Sequence, residues 1–309
     1  MSEIIYSVER PLALPDRGIK TGARVLRRLP DGVEPKPYTL FTVKPLGPLI
    51  GAEIEGVDLR EPVSPELHQE LNRALLEWKV IFFRNQQITS EQQRAFARLW
   101  GELESHPFLP RGNSEEVVRF AKNDQTVGRE NSWHSDVSWR LTPALGAILR
   151  LIEVPESGGG DTLWADMAAA YDNLSDEVKE RIEGLTAVHD FTHAFGVKLP
   201  PDELAARQEE FPAALHPVVR THPETGRRLL YVNPNFTTRI VGLEPDESER
   251  LLQLLFRQAH IPEYQVRFRW EPNAIAFWDN RATQHYAVSD YYPERRIAER
   301  VAISGDRPY

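Results

Sequence analysis

Residues 131–139 read NSWHSDVSW. Two tryptophans and a valine among short polar residues predict an extended strand. On a strand, side chains two positions apart share a face, so His134 and Asp136 are expected to project together. Two ionisable groups on one face near a core are costly unless something holds them there. A neutral imidazole and a carboxylate together suit a divalent metal such as iron(II). Two histidines and one carboxylate leave positions open on such a metal for reactants. On its own the pair is more often a surface or hydrogen-bonded pair, so the rest of the chain has to decide. The best-placed third ligand is His285, in WDNRATQHYAV (residues 278–288), which follows another aromatic-rich run.

Composition narrows the chemistry. The 309 residues contain no cysteine, which excludes disulfides, zinc–thiolate sites, iron–sulfur clusters and cysteine nucleophiles. A bound metal must therefore use His, Asp, Glu or backbone oxygen. The formal charge of -9 argues against a nucleic-acid partner. No apolar run approaches the roughly 20 residues that span a bilayer. The opening MSEIIYSVERPLALPDRG has an early glutamate and no apolar stretch of the secretory kind. The expectation is a soluble cytoplasmic protein with no membrane partner.

Residues 1–37, rich in Pro, Gly and Arg, are expected to form an extended arm, packed on a neighbouring subunit. Residues 38–309 are expected to form one domain. Helices are marked by their caps. SPELHQELNRALLEW starts at Ser64 with Pro65 behind it and a Leu67, Leu71, Leu75 stripe. TSEQQRAFARLWG starts at Thr89 or Ser90 and stops at Gly101. SDEVKERIEG spans residues 175–184, and PDESERLLQLLFRQAH turns Leu251, Leu254 and Leu255 inward. Strand-like runs are more numerous: KVIFFR, GAILRLIEV, DTLWADM, LTAVHDF, a hairpin turning at PETG, QVRFRW, AIAFWDN, QHYAV and ERVAIS. The pattern is mainly β with helices, an antiparallel sandwich.

Three separated segments, NSWHSDVSW, GGGDTLWADM (residues 158–167) and AIAFWDNRATQHYAVSDYYPERRIAER (residues 274–300), together resemble the taurine dioxygenase family of iron(II)- and 2-oxoglutarate-dependent dioxygenases. The resemblance runs from about Tyr38 to the end of the chain. It implies a double-stranded β-helix, a distorted cupin-like jelly roll. It implies His134, Asp136 and His285 as iron ligands, with 2-oxoglutarate and O2 as co-substrates. Arg296, eleven residues after His285, stands at the family's position for the far carboxylate of 2-oxoglutarate, and Thr162 matches the hydroxyl that joins it. A guanidinium is a planar, permanently charged fork that suits a carboxylate. If this segment is a strand, Arg295 and Arg296 face opposite ways and Arg300 shares the face of Arg296. The implied reaction decarboxylates 2-oxoglutarate to succinate and CO2 and hydroxylates a substrate carbon.

Substrate positions carry over as well. His106 in ESHPF and Arg300 match the residues that hold an anionic head group. Phe195 in HDFTHAF and Phe236 in NPNFTTR match aromatic walls, although strand phenylalanines are usually core. Leu109 stands where the taurine pattern has a tyrosine, and Glu130, or Asn131 after a one-residue slip, stands where it has an asparagine. Both changes fall on the side that would meet an amine. The substrate expected is a small anion, an alkyl sulfonate or alkyl sulfate ester, giving an aldehyde plus sulfite or sulfate. A carboxylic or aryloxy acid and an amino-acid derivative are the alternatives in the same chemistry. A zinc hydrolase using the same three ligands, and a non-catalytic ligand binder, are the alternatives outside it. The family resemblance implies a homodimer or homotetramer. His189, His193, His216, His222 and His260 are read as structural or pocket-edge residues. The glycines of residues 158–160 are read as a loop, since no lysine follows as in a phosphate cradle.

Overall fold

A computed structural model describes residues 22–309. Residues 1–21, the first part of the expected arm, lie outside the described residues. Residues 22–37 form no helix or strand and lie along their own chain. The Val25 backbone exchanges two 2.8 Å hydrogen bonds with the Asn173 side chain. Arg28 Nε donates to Glu77 at 2.8 Å, and the Arg28 carbonyl accepts from the buried Lys79 ammonium at 2.9 Å.

The chain then runs through β1 (Thr42–Pro45), β2 (Ala52–Glu55), α1 (Pro65–Trp78), β3 (Val80–Phe83), α2 (Ser90–Ala97), β4 (Leu103–Glu104), β5 (Val117–Lys122), β6 (Gly146–Glu153) and β7 (Thr162–Asp166). Next come α3 (Met167–Asp172), α4 (Asp176–Ile182), β8 (Thr186–His189), α5 (Pro201–Glu210), β9 (Ala214–Pro217), β10 (Val219–Thr221), β11 (Arg228–Leu230) and β12 (Thr237–Ile240). The last part holds α6 (Pro245–Phe256), β13 (Gln265–Phe268), β14 (Ile275–Asp279), β15 (Thr283–Ala287) and β16 (Arg296–Ile303).

An eight-stranded sheet has the order β1-β2-β3-β14-β6-β16-β4, with β5 also paired to β16. A three-stranded sheet, β13-β7-β15, packs across from it. Their inner faces meet in one cluster: Phe82, Leu149, Leu151, Ala276, Trp278 and Ala298 from the large sheet against Trp164, Val266, Phe268 and Trp270 from the small one. The alternate residues Ile81, Phe83, Ile148, Phe277 and Val301 face the other way, onto Leu71, Leu75, Trp78 and Phe96 of α1 and α2. Strands covered on both faces read as unbroken apolar runs, which is why VIFF carries no polar residue. This is the distorted jelly roll expected from the sequence.

The helix caps act as read. Ser64 and Ser175 accept from the backbone three residues on, and Thr89 and Gln92 form a reciprocal capping box. Helix α2 ends at Ala97, and a turn continues to Gly101 at φ 148°. In α6 the buried face is Leu252, Leu255 and Phe256, while Leu254 is 39% exposed. The inward stripe follows the three-to-four spacing through those residues, which turns Leu254 out. Helices α3 and α5 were not marked by the sequence signals. The first grows directly out of a strand, with Asp166 as its cap, and α5 buries none of its residues.

The segment 131–139 departs from its expected strand. Only His134 pairs, in an isolated bridge with His285, and residues 136–139 form a turn. The Asn280 side chain is the physical reason. Its Oδ1 accepts from the Asp136 amide at 2.7 Å, and its Nδ2 donates to the Asp136 and Ala144 carbonyls at 2.9 and 3.1 Å. A side-chain amide thus occupies the place a neighbouring strand's backbone would take. The chain then bends, with the Arg140 amide on the Val137 carbonyl at 2.9 Å.

Candidate metal centre and adjoining cavity

His134 and His285 lie opposite each other and exchange both backbone hydrogen bonds, at 3.1 and 2.8 Å. Their rings stand 4.2 Å apart between centroids. The turn after His134, rather than strand alternation, brings Asp136 to the same place: its Oδ1 lies 3.7 Å from His134 Nε2 and 3.9 Å from His285 Nε2. Val137, next in the turn, has φ 47°. A β-branched residue there is a genuine outlier, costing on the order of 1–3 kcal/mol. One ligand atom from each of His134, Asp136 and His285 falls within 4.8 Å of the others.

The donor set fits a divalent metal. His134 Nδ1 sits 2.9 Å from the Ser132 carbonyl, which places the proton on Nδ1 and leaves Nε2 with its lone pair. Burial holds both imidazoles neutral: His134 is below its ordinary value, and burial together with His134 brings His285 to about 3. Burial pushes Asp136 upward, but the Arg300 guanidinium beside it outweighs burial and brings it to about 2. Asp136 Oδ2 is buried and has no hydrogen-bond partner among the described residues. An ionised oxygen left bare in an interior calls for a ligand.

These three residues sit in the wall of a cavity of about 680 Å³. Arg296 and Arg300, on the same face of β16, both line it, and each is 7% exposed. Arg295 points outward at 63% side-chain exposure and pairs with Glu153. Arg296 Nε donates to the Gly160 carbonyl at 3.1 Å, and its guanidinium makes no ion pair among the described residues. Burial lowers its proton affinity, opposed by Tyr291, Glu130 and Asp161. A buried, unpaired guanidinium fits an anionic ligand. Thr162 lines the same region. Its hydroxyl accepts from Trp270 Nε1 at 3.0 Å, so its own hydrogen is free to donate outward. Gly160, at φ 80°, has no room for a side chain: a Cβ would lie 2.7 Å from Arg296 Cδ and Nε.

Arg300 Nη1 donates to Asp136 Oδ1 at 2.7 Å, while its Nε is buried without a partner. His106 Nδ1 accepts from the Phe108 amide at 3.2 Å, so Nε2 carries the proton. Burial, then Arg300, brings His106 down to about 3. Leu109, Phe195 and Phe236 also line the cavity, with Phe195 and Phe236 stacked at 6.2 Å. Glu130 lines it, and Asn131 is exposed outside it. The Glu130 carboxylate meets Lys122 Nζ at 2.6 Å and the Arg129 amide at 2.8 Å. Of the remaining histidines, His193 edges the cavity. His189, His216 and His222 are buried structural residues, bonded to Ser138, the Arg140 carbonyl and Asp279.

Sequence reasoning missed Asn280, Gly160 and Lys122. Asn280 lay inside a quoted motif, and only the side-chain bonds to Asp136 reveal its part. Lys122 carries no local signal, because strand pairing brings it beside Arg296.

A jelly roll that gathers two imidazoles and a carboxylate beside an unpaired buried arginine defines a class, the non-haem iron(II) and 2-oxoglutarate-dependent dioxygenases. The chain belongs to the family described as "Taurine catabolism dioxygenase TauD, TfdA family", which it matches over residues 42–302. It is 37% identical to the alkylsulfatase of Acinetobacter baylyi over 83% of this chain and 83% of that protein. It is 38% identical to an alpha-ketoglutarate-dependent sulfate ester dioxygenase of Pseudomonas putida over 88% of this chain and 92% of the other. A crystal structure of a taurine dioxygenase from Burkholderia xenovorans superposes with a TM-score of 0.76 at 41% identity, covering 87% of this chain and 91% of the other. The protein is therefore a dioxygenase that uses iron(II), 2-oxoglutarate and O2. Among the described residues no helix is long and apolar enough to cross a membrane.

Proposed function

We propose that the protein oxidises alkyl sulfate esters or alkyl sulfonates, with His134, Asp136 and His285 holding the iron. The observation that carries the substrate class is that Arg300, whose buried Nε has no partner among the described residues, and a neutral His106 line the cavity together with the apolar side chains of Leu109, Phe195 and Phe236. Two N–H donors meet an anionic head group there, while Leu109, Phe195 and Phe236 face a hydrocarbon chain. The sulfate-ester and alkylsulfatase relatives support the same reading.

Bound iron(II), with 2-oxoglutarate and dioxygen, supplies the oxidising power that inserts a hydroxyl into an unactivated C–H bond. The chain's own residues do the rest. The fork of Arg296 binds the far carboxylate of 2-oxoglutarate, steadied at Nε by the Gly160 carbonyl. Thr162 donates its hydroxyl hydrogen to the same carboxylate. His106 and Arg300 fix the sulfur head group, which sets the adjacent carbon toward the metal centre. The aromatic and aliphatic lining keeps water from the reacting carbon. A carbon carrying both hydroxyl and sulfate ester collapses to an aldehyde and sulfate; one carrying hydroxyl and sulfonate collapses to an aldehyde and sulfite.

The test is a panel of straight-chain alkyl sulfates, alkyl sulfonates, aryloxy acids and carboxylic acids, each assayed for iron-dependent succinate formation. Succinate matched one-to-one by sulfate or sulfite is expected for the sulfur compounds. Coupled turnover confined to the carboxylic or aryloxy acids overturns the proposal. The same reading puts the protein among homo-oligomers and in the cytoplasm, to be tested by light scattering and by cell fractionation.

A further inference from the structure

Among the described residues the cavity is lined by one acidic side chain outside the metal set, Glu130, and it is already engaged. Lys122 Nζ lies 2.6 Å from its Oε1, and both residues line the cavity. Lys122 ends β5 and is the register partner of Arg296 on β16. The side chains are 18% and 37% exposed, so the pair sits at the cavity wall, neither sealed in the core nor free in solvent. The Arg129 amide holds the other carboxylate oxygen at 2.8 Å. Glu130 stays ionised: burial opposes it, and Lys122 overcomes the burial.

We propose that Lys122 is a specificity residue that keeps cationic groups off the substrate tail. This rests on the sulfate-ester or sulfonate reading of the cavity. A bare Glu130 carboxylate would welcome an ammonium group on a tail whose other end is held by Arg300 and His106. With Lys122 in place, that carboxylate is spent on an internal partner, and an incoming ammonium meets a like charge. The Lys122–Glu130 pair then carries no net charge and admits an uncharged alkyl chain beside it. Discrimination here works by placing a repulsive charge against the wrong ligand, rather than by an added contact to the right one.

The test uses matched pairs of straight-chain alkyl sulfonates and ω-aminoalkyl sulfonates of two to six carbons. For each, kcat/KM is read from sulfite release, and binding to the full chain is read by calorimetry, which needs no turnover. Wild-type protein is expected to prefer the plain member of each pair. Lys122→Met and Lys122→Gln are expected to move that preference toward the amino member by about tenfold, the worth of a like charge removed and a partly exposed ion pair gained. Lys122→Met with Glu130→Gln is expected to lose the shift. An unchanged ratio in both Lys122 variants, with alkyl sulfonates still bound and turned over, overturns the role of Lys122 and leaves the substrate reading standing. Failure of wild-type protein to bind or turn over any alkyl sulfonate or sulfate overturns the substrate reading, and this inference with it.

Discussion

Arg296 is buried and makes no ion pair among the described residues, and its surroundings show how its direction is fixed. Gly160 does two jobs: its carbonyl takes Nε, and its missing side chain leaves room for the arginine stem. On the proposed role, Arg296→Gln removes charge-assisted hydrogen bonds of about 1.5–3 kcal/mol and raises the KM for 2-oxoglutarate by one to two orders of magnitude. Gly160→Ala acts in the same direction, because the new methyl must displace the arginine and alanine is strained at φ 80°. Saturation curves in 2-oxoglutarate at fixed iron check both, and an unmoved KM counts against the assignment of Arg296. The family resemblance put Arg296 at this position, and strand alternation added only that Arg295 and Arg296 face opposite ways; the structure turns Arg295 outward and Arg296 into the cavity. Gly160 was legible only as a loop residue, since nothing local says which side chain will pass over a glycine.

At the scale of elements, the informative departure is the turn at residues 136–139. A run of tryptophan and valine reads as a strand because propensity is a local quantity. The chain instead bends where Asn280, contributed from between β14 and β15, satisfies the Asp136 backbone. His134 and Asp136 converge as expected, by a different geometry. Removing Asn280 leaves a buried amide and two buried carbonyls short of partners. Asn280→Ala should therefore cost about 2–3 kcal/mol in urea unfolding and weaken divalent-metal binding in a direct titration. Full metal affinity in this variant would mean that the turn holds itself. The helix caps and apolar strands were readable because one residue or one period decides each. Helix α5 was not, because it buries no face that a period could mark. The Lys122–Glu130 pair was equally hidden, since the seven loop residues 123–129 separate its members.

For the whole molecule, stability rests partly on buried charge away from the cavity. Asp279 is 1% exposed and bonds Arg281 Nε at 2.9 Å, Arg281 Nη2 at 2.7 Å and His222 Nε2 at 3.0 Å. Burial pushes this carboxyl upward, but Arg281 and His222 prevail and hold it well below the usual carboxylate range. A depressed folded pKa means that the unfolded chain binds the proton first. The contribution is complete above the unfolded value of 3.8 and is lost as pH falls below it. Asp279→Asn should lower stability near neutrality by about 3–5 kcal/mol, because Arg281 is left buried with one partner fewer. It should also flatten the acid limb of a plot of unfolding free energy against pH. A mutant curve parallel to wild type throughout would show that other carboxylates set that limb.

Strand β16 carries Arg296 and Arg300 four residues apart on one face. Pleated backbone advances about 3.3 Å per residue, so the Cα atoms of the two guanidinium-bearing residues stand roughly 13 Å apart. On the proposed roles, that interval is a built-in ruler between the tail of the keto acid and the head of the molecule being oxidised. Side chains elsewhere in the wall can be exchanged to suit longer, shorter or differently charged compounds. Inserting or deleting one residue between the arginines would turn one of them out of the cavity. Diversification of this scaffold is therefore confined to the lining and cannot reach the gauge itself.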